Sequence, residues 1–130
     1  MNIDPHGLLA NEEHDLVSVM QLASNMPNCP RFIIVQGLRN VAQEAANVAK
    51  GASQTMHSRH LPDKTHHLAA AVDVASLDAA GITWDVKAYQ DLAPFIKTAA
   101  EKLKIPIEWG GDWHTLKDFG HWQLPWAYMP

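Results

Sequence analysis

The run from Ser58 to Asp73 constrains this chain most. It carries three of the eight histidines, His60, His66 and His67, and it ends on a carboxylate set inside an apolar strand. In Ala71-Val72-Asp73-Val74-Ala75 a period of two puts Val72 and Val74 on one face and Asp73, between two alanines, on the other. The first face suits a core and the second suits a cleft floor. Near the C-terminus, His121-Trp122-Gln123-Leu124 repeats the scheme, with His121 and Gln123 opposite Trp122 and Leu124. Two strands thus each set a metal-ligand side chain opposite an apolar face. Asp118, three residues before His121, adds a spare acid.

Imidazole, carboxylate, second imidazole and spare acid are the inventory of a catalytic zinc site with three protein ligands and an open position. Each residue alone also has a plainer reading. Asp73 could be a solvated strand carboxylate, and His121 a half-buried histidine bonded to a backbone carbonyl. The pairing with Asp118 favours chemistry, because a zinc hydrolase needs a base beside the metal that leaves the open position free. Spacing alone leaves the first imidazole open among His60, His66 and His67, with His57, His6, His14 and His114 also present.

The other elements are those of a small mixed domain. Asn11 is expected to cap a helix with Glu12 and Glu13 in its first turn, where acids suit the dipole. Leu16, Val19, Met20 and Ala23 form its apolar stripe, and the helix should stop before Pro27. Phe32-Ile33-Ile34-Val35 reads as a buried strand. Asn40, with Gln43 three residues on, reads as a helix start, and Gly51 as its end. Tyr89, Leu92, Phe95, Ile96, Ala99 and Leu103 make a long helical stripe, kinked or restarted at Pro94. Ile105 to Trp109 is another strand candidate and Gly110-Gly111 a turn. Strands and helices mix without regular alternation, which predicts an α+β fold.

At 130 residues the chain is expected to be one domain with a real core. A formal net charge of -4 argues against a nucleic-acid partner. Cys29 is the single cysteine, which excludes an intrachain disulfide and a cysteine-rich zinc cluster. No apolar run approaches the ~20 residues of a membrane span. Residues 1–6 lack the basic and apolar regions of a secretory signal, so a cytoplasmic location is expected. Trp109, Trp113, Trp122 and Trp126 crowd the last stretch and are read mainly as core or rim packing. Arg39, at the end of the first strand, could hold a substrate carboxylate or steady an oxyanion if it faces the cleft.

These residues resemble a known family, the small zinc peptidases that cut bacterial peptidoglycan. It includes phage L-alanyl-D-glutamate endopeptidase endolysins, D-alanyl-D-alanine carboxypeptidases and vancomycin-resistance dipeptidases, and hedgehog signalling domains share the fold. The family pattern is S-x-H, then A-x-D, then D-x-x-H or E-x-x-H. Ser58-Arg59-His60, Ala71-Val72-Asp73 and Asp118-Phe119-Gly120-His121 match it in order. Gln36-Gly37-Leu38-Arg39, with Gln43 after it, resembles the family's arginine segment. Trp109-Gly110-Gly111-Asp112-Trp113 and His121-Trp122-Gln123-Leu124 look like the phage endolysin branch. One departure concerns the first histidine, usually seven residues before the aspartate. His60 precedes Asp73 by thirteen, whereas His66 keeps seven but lacks the preceding S-x. The intact local motif favours His60, since surface loops accept insertions readily. A smaller departure is Ala69 where the family has glycine.

The resemblance implies an α+β domain with a central, mainly antiparallel sheet flanked by helices. It implies Zn2+ held by His60, Asp73 and His121, with Asp118 as general base and Arg39 on the oxyanion or a substrate carboxylate. Ser58 and Gln43 are implied to bind substrate. The implied reaction is hydrolysis of the L-Ala–D-Glu bond of the peptidoglycan stem peptide, with D,D-carboxypeptidase or a non-catalytic zinc module as alternatives. A monomer without a separate cell-wall-binding domain is expected. It would wait in the host cytoplasm until a holin-type partner releases it to the wall.

Overall fold

The structure is a computed structural model that describes residues 2–38, 59–62 and 68–128. Five strands make one sheet: β1 (Phe32–Gln36), β2 (Ala71–Asp78), β3 (Gly81–Thr83), β4 (Glu108–Trp109) and β5 (His121–Gln123). Two helices, α1 (His14–Ser24) and α2 (Val86–Leu103), pack against each other and against the sheet. The order β1-β2-β5-β4 is antiparallel throughout, and β3 pairs with the C-terminal half of β2. The expected α+β architecture is therefore present.

β2 is the central strand. Its first half pairs with β5 on one edge, and its second half pairs with β3 through the tight turn Asp78–Gly81. Period-two alternation then sorts side chains across the whole sheet. Ile34, Val72, Val74, Trp109 and Trp122 join the core with the buried stripes of α1 and α2, and Trp109 stacks on Trp122 at 5.6 Å between centroids. Asp73, His121, Gln123 and Glu108 sit at the intervening positions. The two described helices cover one face, and Asp73, His121, Gln123 and Glu108 lie on the other.

The helix expected to start at Asn40 and end at Gly51 falls outside the described residues. In α1 the stripe Leu16, Val19, Met20 and Ala23 is buried as expected. Its start is not as expected: Glu13, not Asn11, is the N-cap, and the first-turn acid is Asp15. Residues 11–13 are drawn out instead by a short parallel bridge to Ala69, with Glu13 N–H donating to Ala69 O at 2.9 Å and Ala69 N–H to Asn11 O at 3.0 Å. α2 runs through Pro94 without a restart. Pro94 is on the exposed face, so the Gln90 carbonyl that loses its helical partner can turn to water. The strand expected from Ile105 shrinks to Glu108–Trp109. Lys104 ends α2 in the left-handed region, and Ile105 N–H bonds back to Ala100 O at 3.0 Å. With Pro106 lacking an N–H, sheet pairing can begin only afterwards.

The bridge to Ala69 also buries Glu12, which is 2% exposed. Among the described residues neither of its carboxyl oxygens has a hydrogen-bond partner at ordinary distance. Burial, then the charge of Asp73, pushes its pKa from 4.5 up to about 10, weakly opposed by the Ala71 backbone. A carboxyl with a folded pKa above its unfolded value binds its proton more tightly in the folded state. The ionisation of Glu12 thus takes nothing from the fold below about pH 4.5. As pH rises from there toward 10 the fold loses up to about 1.4 kcal/mol per unit. Glu12→Gln, which cannot ionise, should melt at higher temperature than the natural chain at pH 8, with the gap closing toward pH 5. Melting curves across that range check this, and a gap independent of pH would contradict it.

Candidate functional site

Asp73 and His121 face each other directly across the β2–β5 ladder. Such partners share a face with Cβ atoms about 4.5–5.5 Å apart. The result is a contact of 3.1 Å between Asp73 Oδ1 and His121 Nδ1. On the other edge of β2, Gln36 of β1 is Asp73's partner in the register.

His60 arrives from the loop before β2. The Arg59 carbonyl accepts from Ala70 N–H at 2.9 Å. The Arg59 guanidinium donates to the carbonyls of Leu124 and Pro125, both at 3.1 Å, and of Tyr128 at 3.4 Å. It also lies over the Trp126 ring at 4.8 Å. Arg59 thus ties the histidine loop to the chain just beyond β5. That places His60 Nε2 at 3.2 Å from the same Asp73 Oδ1, with the His60 ring buried and 5.0 Å from that of His121. One ligand atom each from His60, Asp73 and His121 lie within 4.8 Å of one another.

The outer nitrogens of both imidazoles are committed. His60 Nδ1 is 2.8 Å from the Gly37 carbonyl, which can only accept, so Nδ1 carries the proton and Nε2 the lone pair. His121 Nε2 is 2.7 Å from Gln123 Oε1, and Gln123 Nε2 donates to Glu108 at 3.3 Å. Glu108 holds the amide nitrogen, so the amide oxygen faces His121 and leaves His121 Nδ1 with its lone pair inward. Two nitrogen lone pairs and a carboxylate oxygen therefore converge, and only a proton or a cation relieves their repulsion. A tetrahedral metal with bonds of about 2.0–2.1 Å sets its ligands about 3.3 Å apart. The Asp73 contacts of 3.1 and 3.2 Å fit that span, and the donor set is one that could hold a metal ion.

The electrostatics answer the same geometry. For Asp73, burial is the largest influence and acts upward, but the bonds and charges of His121 and His60 outweigh it and hold the carboxyl well below the usual range. For His121, burial acts downward, but the bond and charge of Asp73, the Gln123 bond and the Asp118 charge raise the imidazole.

Asp118 is delivered by a turn. His121 N–H bonds Asp118 O at 3.2 Å, and Asp118 N–H bonds Gly110 O at 3.1 Å. Two glycines allow this approach: a Cβ on Gly110 would sit 2.2 Å from Asp118 O, and one on Gly120 would sit 2.7 Å from Val74 O. Asp118 shares a cavity of about 390 Å³ with Asp73. Partial burial, then the Asp73 charge, raises its carboxyl above the usual range, opposed by His121 and His60.

Of the residues singled out in the sequence, the structure thus brings His60, Asp73, His121 and Asp118 together. Arg39, Gln43, Ser58 and His66 lie outside the described residues. Trp109 and Trp122 are core, and Trp113 lies against His121 at 5.1 Å between centroids. Sequence reasoning missed the role of Glu108 behind Gln123, and missed Trp84 and Lys117 in the cavity. Only the alternation on β5, which puts Gln123 on the His121 face, could have pointed to the first.

Comparison with known proteins places the chain in a family. A family profile described as phage L-alanyl-D-glutamate peptidase matches residues 6–121. The L-alanyl-D-glutamate peptidase of Escherichia phage T5 is 34% identical over 90 residues, covering 68% of this chain and 63% of that protein. That of Listeria phage A118 is 33% identical over 92 residues, covering 71% of this chain and 30% of that protein. The chain thus matches less than two thirds of the length of either relative. The crystal structure of the Serratia marcescens L-Ala D-Glu endopeptidase ChiX superposes with a TM-score of 0.80 at 36% identity, covering 92% of this chain and 84% of that one. With the profile spanning nearly the whole chain, this protein belongs to the phage L-alanyl-D-glutamate peptidase family.

Proposed function

We propose that this chain is a zinc-dependent endolysin that hydrolyses the L-Ala–D-Glu bond of the peptidoglycan stem peptide. The observation that carries the reading is the convergence of His60 Nε2, Asp73 Oδ1 and His121 Nδ1 beside the acid Asp118, which shares a cavity with Asp73. The L-alanyl-D-glutamate peptidase activity of the phage relatives and of the Serratia enzyme supports the choice of bond.

His60, Asp73 and His121 would hold zinc, which supplies a Lewis acid for the scissile carbonyl and lowers the pKa of water to about 7. Asp118 accepts the proton of the attacking water. It then returns that proton to the D-glutamate nitrogen as the amide bond breaks. Its raised pKa brings it nearer working pH, which suits both halves of that task. Gln123, held by Glu108, keeps the His121 proton on the outer nitrogen. The Gly37 carbonyl does the same for His60. By their match to the family motif, Arg39 steadies the oxyanion or grips a substrate carboxylate, and Ser58 and Gln43 contact substrate. The protein would act as a monomer. No described helix is long and apolar enough to cross a membrane. Access to the wall from the host cytoplasm would therefore depend on a holin-type partner.

Three outcomes are expected. Asp118→Asn keeps the shape of the turn but cannot take a proton, so lysis of permeabilised cells should fall ~10²–10⁴-fold while zinc stays bound. Turbidity loss and zinc stoichiometry on one preparation check this, and wild-type turnover by the zinc-loaded variant would refute the base assignment. Gln123→Leu removes the acceptor behind His121 and should weaken zinc affinity ~10–100-fold in chelator competition. An unchanged affinity would mean that Gln123 plays no part in holding the tautomer. His60→Ala should lose zinc while His66→Ala keeps it, and the reverse result would move the ligand role to His66.

A further inference from the structure

The cavity shared by Asp73 and Asp118 does not end at the ligand cluster. It continues to Trp84, Tyr89, Lys117 and Phe119. Trp84 is 71% exposed, an unusual state for the largest apolar side chain. It is not loose: its ring lies 6° from the Tyr89 plane at 6.4 Å between centroids. Tyr89 is itself fixed, donating its hydroxyl proton to Thr83 O at 2.9 Å and accepting from Ser76 N–H at 3.3 Å. Lys117 adjoins Asp118 in sequence and lines this cavity. Its ammonium is bonded to the carbonyl of Gly111, at 3.1 Å, on the boundary with a neighbouring cavity lined by Gly111, Lys97 and Asp112, so it reaches a ligand by rotation of its flexible chain. An ammonium has three N–H groups, so this anchor leaves donors for a ligand. Among the described residues lining the cavity, Lys117 is the one basic group, and Asp73 and Asp118 are both acids.

This inference rests on the reaction proposed above. The nitrogen that receives the proton from Asp118 belongs to the D-glutamate, and it must come within about 2.6–3.2 Å of that carboxyl. The glutamyl residue therefore lies on the Asp118 side of the ligand cluster, where this cavity is. A glutamate whose amine is in the scissile bond has two carboxyl groups. Continuing the peptide uses one, and the other is free as a carboxylate or is capped as a carboxamide. Next to Asp118 and Asp73 a free carboxylate meets like charge, unless a cation stands beside it.

We propose that this cavity is the leaving-group subsite, in which the free carboxylate of D-glutamate accepts from the Lys117 ammonium while its methylenes lie against Trp84 and Phe119. Lys117 is then a specificity-determining residue that selects the carboxylate over the carboxamide form of the stem peptide.

The test uses the zinc-loaded full chain and two synthetic stem peptides, identical except that the free glutamyl carboxyl is a carboxylate in one and a carboxamide in the other. The natural chain should show a kcat/KM ratio of about 10 or more in favour of the carboxylate, the usual scale of a partly exposed charge-assisted hydrogen bond. In Lys117→Met that ratio should collapse to within about twofold of unity, and Lys117→Arg should keep it. Zinc content and melting temperature of each variant establish that it is folded and loaded. A ratio near unity in the natural chain, or one that survives in Lys117→Met, overturns the subsite while leaving the reaction standing. Cleavage of neither peptide by the natural chain overturns the reaction, and the subsite with it.

Discussion

The pairing of Asp73 with His121 across two antiparallel strands is the contact on which the rest depends. One register step of β5 against β2 would turn His121 away from Asp73 and would also turn Trp122 out of the core. Burial of the apolar face therefore enforces the chemistry on the opposite face. Stability and the proposed function share one constraint, and the hydrophobic effect brings Asp73 and His121 together without any bond made for that purpose.

The third ligand needs a separate device, because it comes from a loop. Arg59 supplies it by reaching three carbonyls beyond β5 and covering Trp126. The longer gap between His60 and Asp73 is thus compatible with the site, since Arg59, next to the histidine, ties it to the chain beyond β5. The outer hydrogen bonds finish the site by aiming lone pairs inward. The buried carboxyl of Glu12 shows that the arrangement carries a cost. The extended segment that ties Ala69 to the N-terminal region buries an acid with no hydrogen-bond partner for either oxygen among the described residues.

Much of this was legible in the sequence, for identifiable reasons. Alternation around Asp73 and around His121 revealed which side chains share a face, because the period of a strand is a local property. The stripe of α1 was readable for the same reason. What stayed hidden depended on partners distant in sequence. The bridge to Ala69 overrode the capping signal at Asn11, and the closing bond of Ile105 to Ala100 withheld a strand that composition favoured. β3 is three residues long and too short to show a period. Pro94 reads as a break until its solvent-facing position is known. For the site, motif order pointed to His60, Asp73, His121 and Asp118, whereas Trp84 and Lys117 are isolated surface residues whose common cavity exists only in the fold.

The central claim is that two imidazole nitrogens and one carboxylate oxygen converge on a single cation. X-ray absorption at the zinc edge of the zinc-loaded chain tests it most directly, because imidazole rings leave a characteristic outer-shell scattering pattern. The account predicts one zinc per chain, with nitrogen and oxygen ligands at about 2.0–2.1 Å and the outer-shell signature of two imidazoles. A substoichiometric metal, a sulfur ligand from Cys29, or any imidazole count other than two would contradict it.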